Sequence, residues 1–374
     1  VTTESLAEFS EQFSDEPGYL DMAAVGPLGR PARDDESAQS SLLGRARFGT
    51  IPSLLEQDAR AREAVASLTG FGSDSVVFQP STTQAMTQAI FGVEGELLLS
   101  TNEYPGITVA AERAGGVLGR EVRWFTPESG HVTPEALRDE LTPDTAAVVV
   151  SLVDFRTGYR IDLDAVREVI GDRLLLVDAV QGLGAVDAPW QVADVIAAGG
   201  QKWLRAGFGT GFLALSDRAL ERLEPVLSGF AGIDTDNVDP IVAPPPARVA
   251  RSFQLTRPDP VAEARLSASI EELVAIGVSS VASAIAENVT RIIDLADEFA
   301  LPVVSPRDES ERAGIVVLEP EDGALTYLAA SLHNHGITAT TRNGRVRLSP
   351  PATADEETFA MLRAALISFG TVAP

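Results

Sequence analysis

The chain has 374 residues, 45% hydrophobic and 22% charged, enough to bury a large core in one or two domains. Its formal net charge of -25 disfavours nucleic acid and anionic membrane as partners, because both require a basic footprint. Cysteine is absent and histidine occurs only three times, which excludes disulfides and thiolate nucleophiles and leaves catalysis to Lys, Arg, Asp/Glu, Tyr, Ser/Thr or a borrowed cofactor.

The opening, Val1-Thr2-Thr3-Glu4-Ser5, is acidic and polar and carries no signal-peptide pattern. No apolar run is long enough to span a membrane, so a cytoplasmic protein is expected. A short helix is predicted from Ser5 to Phe13, then an extended piece from Tyr19 closed by a Gly26-Pro27 turn. Residues 30–68 read as helix, broken near Gly49-Thr50-Ile51-Pro52. A short apolar strand, Ser75-Val76-Val77-Phe78, then runs through Gln79-Pro80 into Ser81-Thr82-Thr83 and a helix to about Phe91. Hydroxyls and free N–H groups at a helix start make a ready anion site, although they also make a plain N-cap.

Strands follow at Glu96–Ser100 and Val122–Phe125, with a helix from Thr108 to Ala114 between them. A helix starts at Thr133-Pro134, and Ala146–Val153 reads as a buried parallel strand. Leu163–Ile170 is helical. Arg173–Asp178, Ala193–Ala198 and Thr210–Leu215 are further apolar strands, the last reached by a Gly207-Phe208-Gly209 turn. That glycine cluster precedes a strand, so it is not a dinucleotide fingerprint, which must follow one. A proline-rich loop covers 239–249, and amphipathic helices are expected over 260–276 and 281–299. The remainder reads as a small α+β unit. Its strands are predicted at 314–319, 337–341 and 345–349, and its helices at 321–333 and 354–369. The pattern predicts an α/β fold with a mostly parallel central sheet, helices on both faces, and a small C-terminal α+β domain. The domain reading is an N-terminal segment over 1–18, a large α/β domain over 19–250, and long helices with the small domain over 251–374.

Lys202 is the single lysine among 29 basic residues. Arginine stays charged, whereas lysine can be tuned to a neutral amine and form an imine, so a lone lysine marks a place where arginine would not serve. Asp178, at the end of a buried strand, precedes it by 24 residues. Ser81, Thr82, Thr83, Tyr104, Asp178 and Lys202 all fall at or just beyond the carboxyl ends of predicted strands, where parallel α/β sheets bind ligands. Pyridoxal phosphate needs such a set: an imine-forming lysine, a carboxylate for the pyridine nitrogen, a ring on the cofactor face and an anion site. His333 and His335 lack the i, i+4 spacing of a helical zinc pair, and no metal is expected.

The chain resembles the class V aminotransferases of the fold-type I pyridoxal-phosphate enzymes, a group that includes cysteine desulfurases and kynureninase. The resemblance rests on Tyr19-Leu20-Asp21-x-Ala23-Ala24, Val177-Asp178-Ala179-Val180-Gln181-Gly182, Gln201-Lys202-Trp203-Leu204, Gly209-Thr210-Gly211-Phe212-Leu213 and Arg345-Val346-Arg347-Leu348-Ser349. It implies that Lys202 is the Schiff-base lysine and proton shuttle, and that Asp178 pairs with the pyridinium nitrogen. It further implies that Gln181 donates to the phenolic oxygen and that Ser81, Thr82 and Thr83, with Gln201, hold the phosphate. Tyr104 stands where the family places its ring-stacking residue. Phe155 replaces an asparagine of many relatives, giving a kynureninase-like segment and a further cofactor contact. Arg347, with Arg342 and Arg345 as competitors, would bind the substrate carboxylate. Thr256 would reach the phosphate of a neighbouring subunit, implying a homodimer with its active sites at the interface. The expected activity is amino-acid transamination, with carbon–sulfur or other β-elimination and kynureninase-like hydrolysis as alternatives. The intact Asp178 and Lys202 argue against a non-catalytic relative. The missing cysteine is taken to exclude cysteine desulfurase chemistry through a persulfide.

Overall fold

The computed structural model describes residues 3–45, 47–233 and 246–372. The chain begins with helix α1 (Thr3–Ser10) and, after the extended piece, continues into α2 (Arg30–Arg45) and α3 (Thr50–Thr69). Next come β1 (Val76–Phe78), α4 (Thr82–Gly92), β2 (Glu96–Ser100), α5 (Pro105–Leu118), β3 (Val122–Phe125) and α6 (Pro134–Glu140). β4 (Thr145–Ser151), α7 (Leu163–Ile170), β5 (Leu174–Asp178), β6 (Val195–Gly199), β7 (Gly211–Leu215) and α8 (Asp217–Arg222) complete the first half. α9 (Pro260–Ile276) and α10 (Val278–Glu298) lead to β8 (Val316–Leu318), α11 (Leu325–Asn334), β9 (Thr340–Arg342), β10 (Arg345–Leu348) and α12 (Glu356–Val372). Residues 239–245 of the expected proline-rich loop lie outside the described residues.

Seven strands form one sheet in the order β1-β7-β6-β5-β4-β2-β3, and three form a small antiparallel sheet, β8-β10-β9. In the large sheet only β7 runs against the others. The strands read as continuous apolar runs because both faces are covered. Along β4, Val148 and Val150 face one core while Ala147 and Val149 face the other; β5 divides in the same way, with Leu175 and Val177 against Leu174 and Leu176. Ala85, Met86 and Ile90 of α4, with Ile107 and Ala111 of α5, close one face. Leu68 of α3, Val166 of α7 and Ile270 of α9 close the other.

The last strands differ from expectation in an informative way. Ile337–Ala339 does not start β9. Thr338 instead bridges Tyr19 in parallel, with Leu20 N–H donating to Thr338 O at 3.1 Å. The N-terminal piece takes the hydrogen bonds that would otherwise lengthen the hairpin. α5 starts earlier than the apolar pattern indicates, because Pro105 supplies its first turn without needing an N–H acceptor. Among the described residues no single helix is long and apolar enough to cross a membrane. α9 and α10 together reach that length but are bent by 83°, and Leu266, Ile270, Val289 and Ile292 are buried in the core.

Asp194 ties the middle of the sheet together. It is 2% exposed. Its carboxylate accepts from Leu175 N–H at 2.9 Å and Ser216 Oγ at 3.0 Å, and pairs with Arg167 at 2.6 Å and Arg218 at 3.3 Å. Removing one partner of such a buried cluster strands the remaining charges and donors. Asp194→Ala is expected to lower the unfolding free energy by about 3 kcal/mol. Arg218→Ala, on the more exposed partner, should cost under about 1 kcal/mol. Urea unfolding of both variants checks this; equal losses would show that burial of Asp194 is not what matters.

Candidate active site

A cavity of 420 Å³ opens beyond the carboxyl ends of β2, β4, β5 and β6. Of the residues expected from sequence, Ser81, Thr82, Thr83, Tyr104, Phe155, Asp178, Gln181, Gln201, Lys202 and Arg347 all line it. The topology brings them together because β5 lies between β4 and β6, so the loops that leave the ends of these strands converge. Thr256 is exposed and does not line the cavity of its own chain.

The Lys202 loop is clamped from several sides. Gly26 N–H donates to Gln201 O at 2.8 Å, Gly200 N–H to Thr210 O at 2.9 Å, and Arg205 N–H to Lys202 O at 2.9 Å. A Cβ on Gly26 would collide with Lys202 O, so the N-terminal piece can pass there only as glycine. Arg205 adopts φ 55°, a left-handed conformation unusual outside glycine. Its guanidinium pairs with Asp15, donates to Pro27 O at 2.7 Å and stacks on Phe13 at 3.3 Å. These contacts fix the turn that follows the lysine.

Burial lowers the Lys202 amine to about 8, although Asp178 pulls it back up and Arg347 pushes it further down. Burial raises Asp178 to about 6, opposed by the Val180 N–H bond and by Lys202. Val180 N–H donates to Oδ1 at 2.9 Å, and Oδ2 has no donor among the described residues. Gln181 donates to Ala23 O at 3.0 Å and accepts from Trp203 Nε1 at 3.0 Å. An amide nitrogen carries two N–H donors, so one remains for the cavity.

α4 presents its N-terminus to the same space. The Ser81 hydroxyl accepts from Gln84 N–H at 3.2 Å and caps the helix, while the Thr82 and Thr83 N–H groups have no intrahelical acceptor. Gly199 N–H donates to Thr82 Oγ1 at 2.7 Å, leaving that hydroxyl proton free. Thr83 Oγ1 would lie 2.8 Å from a Cβ on Gly106, so glycine is what lets α5 approach this corner. Tyr104 reaches over the cavity 5.7 Å from Lys202 Nζ and meets Phe155 edge-on at 5.3 Å between centroids.

On the opposite wall Arg347 donates to Thr340 Oγ1 at 3.2 Å. Asp21, its nearest carboxylate, is 3.7 Å away. Among the described residues the buried Arg347 Nε–H has no acceptor. Burial pushes its guanidinium down from the usual arginine value. The sequence reading missed Arg156, Phe208 and Asn343, which also line the cavity, and Glu103 beside it. Burial lifts Glu103 to about 7, against hydrogen bonds from Ser151 and with repulsion from Asp178. Only strand adjacency reveals this acid, because Ser151 sits opposite Asp178 in the sheet.

These features fit pyridoxal phosphate. A buried carboxylate keeps one oxygen free, a hydroxyl-lined helix start offers unpaired donors, an amine is shifted toward neutrality, and an aromatic ring overhangs the space.

Comparison with known proteins agrees. The chain is 27% identical to the kynureninase of Deinococcus radiodurans over 69% of its length and 64% of that protein's. It is 30% identical to the probable hercynylcysteine sulfoxide lyase of Mycobacterium tuberculosis, over 70% of this chain and 64% of that one. It is 28% identical to the probable cysteine desulfurase of Aeropyrum pernix, over 75% and 72%. The cystine C–S lyase C-DES, solved with its product cysteine persulfide, superposes with a TM-score of 0.86 at 18% identity, covering 96% and 98%. The exclusion of cysteine desulfurases drawn from the missing cysteine is therefore corrected, since the chain matches members of that group over most of its length. An absent thiol bears on where sulfur goes, not on the scaffold or on the chemistry at the amino acid. The aminotransferase class-V family model covers residues 51–373, and with the site described above it shows that the chain belongs to that family of pyridoxal-phosphate enzymes.

Proposed function

We propose that this chain is a lyase that removes the α-proton of an L-amino acid and breaks a bond at its β-carbon. The observation that carries the reading is the Lys202 amine, lowered by burial, in one cavity with Asp178 and the α4 N-terminus. Elimination is preferred to transamination because relatives named as a sulfoxide lyase and a desulfurase, at 30% and 28% identity, are more similar to the chain than a relative named as an aminotransferase, at 24%. When bound, pyridoxal phosphate supplies an electron sink for the charge left at the α-carbon.

The chain's own residues supply the rest. Ser81, Thr82 and Thr83 hold the phosphate with backbone and hydroxyl donors. Asp178, through its free oxygen, keeps the pyridine nitrogen protonated, and Gln181 offers its spare N–H to the phenolic oxygen. Tyr104, in edge-on contact with Phe155, would offer an aromatic surface to the cofactor ring. Arg347, which lines the cavity, takes the substrate α-carboxylate. Lys202 lifts the proton from the α-carbon as a general base. A second copy completes the site. Thr256 and the 70%-exposed Phe208, which lies at the cavity, are offered to such a neighbour. A homodimer would bury that ring and bring Thr256 toward the partner's phosphate.

Incubation with a panel of amino acids carrying β-leaving groups tests the reaction. A keto acid and ammonia should form without any acceptor, and Lys202→Ala should slow their release by at least about 10²-fold. Release that depends on an added keto acid would instead assign transamination.

The loading of the cofactor gives a separate readout. Only the neutral amine attacks the aldehyde, and a lowered pKa makes that form available at lower pH. The rate of colour formation on mixing chain and cofactor should rise with pH and level off near 8, where an ordinary lysine would still be climbing toward 10.5. A rate still rising at pH 10 would show that burial does not tune Lys202.

A further inference from the structure

We infer that the substrate carries a second anionic group on its side chain, a carboxylate or equivalent oxyanion, and that Arg342 recognises it. The inference rests on the reading above, in which Arg347 holds the α-carboxylate.

The argument starts from the β9–β10 hairpin. Asn343 and Gly344 form its turn with φ of 52° and 80°, the paired positive values of a two-residue type I′ turn. Such a turn pins the register, and here Arg342 lies opposite Arg345 and Thr340 opposite Arg347. Directly opposed residues share a face, as do residues two apart on one strand. Arg342, Arg345 and Arg347 therefore project from one face, while Val346 and Leu348 fill the core from the other. All three arginines line the cavity.

Four of the five basic side chains at the cavity have an acidic neighbour. Arg156, Lys202, Arg342, Arg345 and Arg347 line the cavity, and Asp178 is the lining acid. Arg156 is paired with Asp154 at 2.6 Å and Arg345 with Glu319 at 2.8 Å; Lys202 is coupled to Asp178 and Arg347 to Asp21. Among the described residues Arg342 has no acidic partner. An arginine without an acidic partner at this wall, on the same face as Arg347, is placed for an anion that enters with the substrate. Its exposure puts that anion at the mouth of the cavity, where a side chain would extend once Arg347 has taken the α-carboxylate.

Calorimetric titration of the cofactor-loaded protein with glutarate and with butyrate tests this. Both probes lack an amino group, so neither requires turnover. Glutarate should bind about tenfold more tightly than butyrate. Arg342→Gln should shrink that ratio by about fivefold and Arg342→Lys should restore part of it. Equal affinities in the wild type, or equal losses for both acids in Arg342→Gln, would overturn the inference. Protein that remains colourless with cofactor yet keeps the glutarate preference would overturn the functional reading alone. Coloured, active protein without the preference would do the reverse.

Discussion

An acid and an amine withdrawn from water at neighbouring strand ends are costly to each other and to the fold unless both are compensated. Burial drives Asp178 up and Lys202 down, and each is the main opposite charge that restrains the other. Parallel strands make the pairing possible. β5 and β6 run side by side, with Asp178 opposite Ala197, so the chain leaves both strands into the same space. Much of the surrounding architecture keeps that arrangement from relaxing. The Lys202 loop is gripped by the N-terminal piece at Gly26, by Thr210 at the start of β7, and by its own Arg205 turn. Trp203 buries its ring and uses its N–H to orient Gln181.

The N-terminal piece links the two sheets through this site. Tyr19 bridges Thr338, Asp21 bridges Ser349, and Thr340 donates to the Asp21 carboxylate at 2.8 Å. Asp21 in turn is the acid nearest Arg347. A few residues thus set the position of an arginine more than three hundred positions later in the chain, and they also contact the lysine loop. The cavity wall formed by the small sheet is therefore not hung from its own hairpin alone.

The order of strands and helices was legible because the apolar runs of β4, β5 and β6 are long and are punctuated by glycine, proline and capping hydroxyls. Element ends were less so. β9 starts late because Thr338 is spent on Gly18 and Leu20, a pairing across the whole chain that no local pattern records. Among site residues, Lys202 stood out by composition, and Asp178 by ending a buried strand. The shared face of Arg345 and Arg347 could be read from their spacing of two, but the place of Arg342 beside them depends on the register set by the Asn343-Gly344 turn. Glu103 was invisible for a different reason. It follows a strand as many surface acids do, and only the fold buries it against Ser151. The error over desulfurases had a chemical origin: one missing residue type was allowed to rule out a group whose scaffold and cofactor site do not require it.

The near-total replacement of lysine by arginine now has a structural counterpart. Every ion pair among the described residues is made by arginine, several of them two-pronged, such as Arg363 with Glu298 at 2.5 Å on both arms and Arg60 with Glu271 at 2.6 and 2.8 Å. A planar guanidinium makes such pairs better than an ammonium and keeps its charge when half-buried. Those virtues become faults where a proton has to come and go. A guanidinium beside Asp178 would remain charged at any working pH and could neither attack an aldehyde nor accept a proton from carbon. The same pressure that favours arginine across the surface and at the wall of the cavity therefore stops at Lys202, the one position where losing the charge is the purpose of the residue.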